Sequence, residues 1–117
     1  MDKVEKAKNV FQENVDAYRK MVVEIRKNAI DFLTQLLNAN NNKIDCDDER
    51  GLLDGMSVMY DGGNHPEYAM GISSVSAISL DECGVVWFAL EEEEVDVDRI
   101  DTGDLVWVVE DLIKLMW

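Results

Sequence analysis

A chain of 117 residues with 47% hydrophobic content, one proline and seven glycines is the size of one folded domain, without a linker or low-complexity tract. Eleven Lys/Arg against twenty-five Asp/Glu give a net charge of −14. That balance argues against direct nucleic-acid binding and against docking on anionic lipid, both of which depend on Lys and Arg. MDKVEKAKN leads into no apolar signal segment, and the longest apolar run, Val85–Leu90, is six residues against the roughly 20 needed to span a bilayer. The expectation is therefore a cytoplasmic protein with no membrane partner. Two cysteines, Cys46 and Cys83, are too few for a disulfide framework and too widely separated for a zinc ribbon, and are expected to be thiols.

Charge is unevenly distributed. Residues 1–38 carry seven Lys/Arg against six Asp/Glu, whereas residues 39–117 carry four against nineteen. A nearly neutral first third joins a body of charge −15. Such a body attracts basic protein surfaces and accelerates encounter with them in a salt-dependent way; acid can also serve solubility alone.

Residues 2–38 lack glycine and proline and read as one long helix. Val4, Phe11, Val15, Tyr18, Val22, Ile25, Ala29, Phe32 and Leu36 follow the three-four rhythm of a continuous seam, interrupted only at Lys8. Met21, Ile30, Leu33 and Leu37 widen the stripe towards the C-terminus, as in a helix lying on a sheet. At 1.5 Å per residue such a helix is about 52 Å long. It either breaks or overhangs its own body, and overhang implies a homodimer through residues 4–25, with Val4, Phe11, Val15, Tyr18, Val22 and Ile25 in the interface. Lys3, Lys6, Arg19, Lys20, Arg26 and Lys27 fall on the outer face. There Asp2–Lys6, Asp16–Lys20 and Glu24–Lys27 have the spacing of intrahelical pairs, so the stripe reads as a solvated face and not as a nucleic-acid site.

NANNN at Asn38–Asn42 ends the helix, because asparagine tolerates the left-handed conformation found there. Residues 39–55 form an acidic connector and residues 56–99 an antiparallel sheet of three to four strands, at about 56–60, 69–80, 85–90 and 94–99. The loop at Asp61–Pro66 is dense in turn residues. Asp81–Gly84 is a hairpin connection with Gly84 at positive φ. A C-terminal helix over 102–116 starts at an Asp101 or Thr102 cap, has Asp104 in its first turn and carries a core stripe of Leu105, Val108, Val109, Leu112, Ile113 and Met116. Trp107 and Trp117 lie off that stripe, partly exposed or at an interface. The fold class is α+β.

The last forty residues, a hairpin, the acid-rich EEEEVDVD, DRIDTGDL and a short amphipathic helix, resemble small acidic proteins of bacterial phages and other mobile elements. The motif carries no catalytic residue. The resemblance implies carriage by a phage or mobile element; the charge of −15 over residues 39–117, with acid clustered at 45–49 and 91–104, sharpens the expectation to an inhibitor that mimics nucleic-acid charge and blocks a nucleic-acid-binding protein.

No constellation carries chemistry with the required spacing. Asp45, Asp47 and Glu49 match the first ligands of an EF-hand loop, but Arg50 replaces its turn glycine and Met56 its bidentate glutamate. Glu91–Glu94, read as strand, alternate between faces and cannot converge on one ion. Cys46, Cys83 and the only histidine, His65, provide three candidate zinc ligands where four are needed, and no local signature of a cysteine nucleophile. Trp87, Phe88 and Tyr60 suit a sheet core better than a base-stacking platform. The expectation is a protein with no catalytic residue, metal site or cofactor, binding a basic protein such as a nucleic-acid-binding enzyme through Asp45, Asp47, Asp48, Glu49, Glu91, Glu92, Glu93, Glu94, Asp96 and Asp98. One alternative is a helix-mediated self-assembling or adaptor protein whose acid serves solubility. A second is a cysteine- or metal-dependent enzyme using Cys46, His65 or Cys83.

Overall fold

The computed structural model describes residues 2–61 and 70–116 and has the α+β architecture expected from the sequence. Helix α1 spans Lys3–Asn38 without a break. Asp2 caps it, its carboxylate accepting from the Glu5 N–H at 2.7 Å, so this acid serves the helix start. Asn41 and Asn42 adopt φ of 60° and 66°, the left-handed turn expected of NANNN. Thirty-six residues at 1.5 Å make about 54 Å, and the molecule measures 62 × 37 × 28 Å, its length set by the helix. No helix among the described residues is long and apolar enough to cross a membrane.

Among the described residues six strands follow: β1 Lys43–Asp45, β2 Ser57–Asp61, β3 Met70–Ser74, β4 Ala77–Leu80, β5 Val86–Ala89 and β6 Glu94–Asp96. They form a four-stranded antiparallel sheet in the order β1-β4-β5-β6 and a two-stranded sheet β2-β3. Two expectations change here. The acidic connector 39–55 supplies β1 and, through Ile44, Leu52 and Leu53, part of the core. The run expected as one strand over 69–80 divides at Val75–Ser76, where the chain leaves one sheet and enters the other. The Val75 N–H still bonds to the Met56 carbonyl, while the Ser76 N–H already bonds to that of Ala89.

Register explains the core. Ile44, Ile78, Phe88 and Val95 are cross-strand neighbours in sequence across all four strands, and each is at most 1% exposed. The C-terminal half of α1 lies over this apolar face with Ala29, Leu33, Leu36 and Leu37 buried. After β6 a 3₁₀ turn, Val97–Arg99, leads into α2, Thr102–Met116. This replaces the strand expected up to residue 99, because the Asp96 carboxylate accepts from the Arg99 N–H and caps the turn.

Helix α2 packs on α1 and β2 through Leu105, Val108 and Leu112, with Val109 partly buried. Ile113 and Met116, expected in the same stripe, are 36% and 41% exposed and line open grooves against α1 beside Phe32. Asp101 accepts from the Gly103 N–H at 2.9 Å as the cap. Asp104, expected only to complement the helix dipole, also accepts from the Met59 N–H and ties α2 to β2.

Candidate functional site

The two acidic clusters are some fifty residues apart in sequence and meet through sheet register. Asp45 pairs with Ala77, Ala77 with Ala89, and Ala89 with Glu94. This row alternates with the buried row of Ile44 and Phe88, so its side chains point away from α1. The turn after β1 carries Asp47, Asp48 and Glu49, and the turn before β6 carries Glu91, Glu92 and Glu93. Both leave the sheet at the same end, three strand spacings or about 14 Å apart. Eight of the ten acids expected at a partner surface thus gather at one end. Asp96 is occupied as the cap of the 3₁₀ turn, and Asp98 lies on that turn, so neither belongs to the acidic end.

Glu91–Glu93 are turn residues and not strand residues; only Glu94 lies in β6. The obstacle of alternate strand faces therefore does not apply to them, and they fan out from a loop. Asp47, Glu49, Glu91, Glu92 and Glu94 are exposed. The others are partly neutralised. Arg50 grips Asp48 through Nε at 2.9 Å and Nη2 at 2.7 Å while also donating to Asn40 Oδ1 at 2.8 Å. That guanidinium lowers the Asp48 carboxyl to about 2. The Asp47 backbone N–H, with smaller help from Lys43 at 3.4 Å, holds Asp45 below the usual carboxylate range. Arg99 Nη2 lies 3.6 Å from Glu93 and donates to the Asp61 carbonyl.

Ligand atoms of Asp45, Cys46 and Asp47 lie within 4.8 Å of one another on the exposed turn. The Asp45 carboxylate already accepts from the Asp47 N–H at 3.1 Å and pairs with Lys43. Both cysteines are free and exposed. Desolvation and the neighbouring Asp47 and Asp45 carboxylates raise the Cys46 thiol, which disfavours the nucleophilic thiolate. Cys46 follows β1 at the Ala77 end of β4, whereas Cys83 sits in the β4–β5 hairpin at the Leu80 end. The structure does not bring them together, and His65 lies outside the described residues.

The N-terminal half of α1 is the second feature. Val4 is 79%, Phe11 69% and Tyr18 66% exposed, and Ile25 remains 37% exposed, with Val15 and Val22 intermediate. Off the seam, Met21 is also exposed. Helix α2 runs beside α1 in the same direction, from the Arg26–Thr102 contact to the neighbourhood of Phe32 and Met116. It covers the seam only from about Ala29 onwards. Where α2 begins, a groove of about 680 Å³ opens between the helices, lined by Tyr18, Val22, Ile25, Val106 and Trp107 among others. Trp107, at 64% exposed, was legible as an off-stripe aromatic; its place beside Tyr18 and Ile25 was not.

Arg26, assigned by its spacing to the solvated basic face, instead points inward. It donates to the Val97 carbonyl at 2.9 Å and to the Ile100 carbonyl and Thr102 Oγ1, each at 2.7 Å. No sequence signal marks it, because its acceptors, two backbone carbonyls and the Thr102 hydroxyl, lie more than seventy residues away. Compared with protein-family models, with curated proteins and with solved structures, the chain returns no match.

Proposed function

We propose that this is a non-enzymatic interaction protein whose acidic end occupies a basic surface on another protein. The partner class favoured by that charge is a protein that binds nucleic acid, and the action is inhibition by charge mimicry. The observation that supports the reading is the register that sets Asp47–Glu49 and Glu91–Glu94 at one end of the sheet, about 14 Å apart. Two acid rows at that separation are comparable with phosphate rows facing each other across a groove about 12 Å wide.

The test is affinity capture from cells of the source organism with the wild-type chain and with Glu92→Lys/Glu94→Lys. The wild type should retain a basic nucleic-acid-binding protein at roughly 50 mM salt, lose most of it at roughly 200 mM, and release it to added DNA. The variant should retain it at least about tenfold less well. Retention that is indifferent to salt and to the charge reversal would sink the proposal.

A further inference from the structure

We infer that the exposed half of α1 is the seat of a second copy of this chain, bound as an antiparallel coiled coil centred near residue 13. This inference does not depend on the acidic end. It rests on how the exposed residues complement themselves once the seam is assigned.

The seam positions from Val4 to Ile25 alternate between two sets. Val4, Phe11, Tyr18 and Ile25 form one set, and Lys8, Val15 and Val22 the other. In an antiparallel pair each core layer matches a member of one set with a member of the other. In the register centred near residue 13, Val4 meets the second copy's Val22, Phe11 meets its Val15, and Lys8 meets its Tyr18. The one polar seam residue then lies against the one seam aromatic with a hydroxyl, where its stem packs on the ring and its ammonium faces the π-surface.

The flanks agree with the same register. Along one side of the seam run Glu5, Gln12 and Arg19, all exposed. Antiparallel pairing joins Glu5 to the second copy's Arg19, Gln12 to its Gln12, and Arg19 to its Glu5. Along the other side Ala7, Asn14 and Met21 join Met21, Asn14 and Ala7. Two opposite-charge pairs, two amide pairs at the axis and an apolar pair on either side leave no like charges opposed. A parallel, in-register pair has the opposite result. It places Lys8 against Lys8 and brings two bodies of charge −15 side by side, whereas the antiparallel pair holds them at opposite ends, beyond a screening length of roughly 8 Å.

The groove at the start of α2 receives an occupant in this arrangement. Helix α2 covers the seam from about Ala29, and the second helix covers it from Val4 to Val22. The second copy's first turn, carrying Lys3 and Lys6, reaches the mouth of the groove, whose rim holds Asp101 and Glu110.

Sedimentation equilibrium of the full chain at tens of micromolar should give twice the monomer mass; a monomer overturns the inference. Glu5→Arg should raise the dimer dissociation constant at least about tenfold by opposing two pairs of arginines, and Glu5→Arg/Arg19→Glu should restore it to within about threefold. Failure of the double swap to restore it rejects this register. In a Cys46→Ser/Cys83→Ser background, a short bis-maleimide should link Asn14→Cys chains and leave Val4→Cys chains unlinked, since residues 4 of the two copies lie roughly 27 Å apart. Efficient linking through Val4→Cys means a parallel pair and also rejects the register.

Discussion

Arg26 illustrates how one side chain can belong to a different part of the molecule from the one its spacing suggests. Its guanidinium bonds to two carbonyls at the ends of the 3₁₀ turn and to the Thr102 hydroxyl at the first residue of α2. One planar donor group thus fixes the angle at which the last helix meets the first, and the three acceptors match its fork geometry. Arg26→Ala should cost about 2–3 kcal/mol in urea unfolding, because charge-assisted bonds are lost and two half-buried carbonyls are left short of a donor. Arg26→Lys should recover little of this, since a point-charge ammonium on a shorter, flexible stem cannot hold the same planar fork. A lysine variant as stable as the wild type would show that only the charge matters. The aspartates make a parallel point. Asp2, Asp81, Asp101 and Asp104 accept backbone N–H bonds in caps, the hairpin and the α2–β2 tie, so part of the chain's acidity is turn chemistry and not partner surface.

At the scale of elements, the smaller of the two sheets that share residues 70–80 is closely packed at one cross-strand pair. Tyr60 lies directly across from Gly71 in the β2–β3 pair. A Cβ built on Gly71 would stand 2.6 Å from the Tyr60 ring and 2.7 Å from its hydroxyl oxygen, so the ring lies flat across a bare backbone. The same Tyr60 makes a lone bridge to Ile100, which links the small sheet to the start of α2. Gly71→Ala should therefore destabilise by about 1–3 kcal/mol through overpacking. In a Tyr60→Ala background the same substitution should cost close to nothing, a coupling that a double-mutant cycle reads directly. Equal costs in both backgrounds would place the strain elsewhere.

At the scale of the molecule, α1 is two halves with different duties on one unbroken axis. Leu33 and Leu37 are fully buried under the sheet, while Phe11 and Tyr18 stand clear of it. Leu33→Ala should cost about 2–5 kcal/mol by leaving a cavity. In protein dilute enough to be monomeric, Phe11→Gln/Tyr18→Gln should change the unfolding free energy by no more than about 0.5 kcal/mol, since little packing is lost. Loss of several kcal/mol from the second pair would mean that the first half of the helix folds back onto the body.

Helix limits, the asparagine turn, the Gly84 hairpin and the α+β class were legible in the sequence, because each follows from local chemistry: periodicity, caps and backbone conformations within a few residues. The uneven charge and the apolar seam were equally plain as inventories. What the seam residues touch was not, since a periodic stripe looks the same whether it faces a sheet, as at Leu33, or solvent, as at Phe11. Register alone decided that Asp45 and Glu94 share a row and that Asp96 does not. The conversion of the acidic connector into β1, the inward turn of Arg26 and the meeting of Tyr18 with Trp107 also belong to tertiary structure. Each pairs groups separated by tens of residues, and their meeting is selected by the packing free energy of the whole core, which no local window of the chain contains.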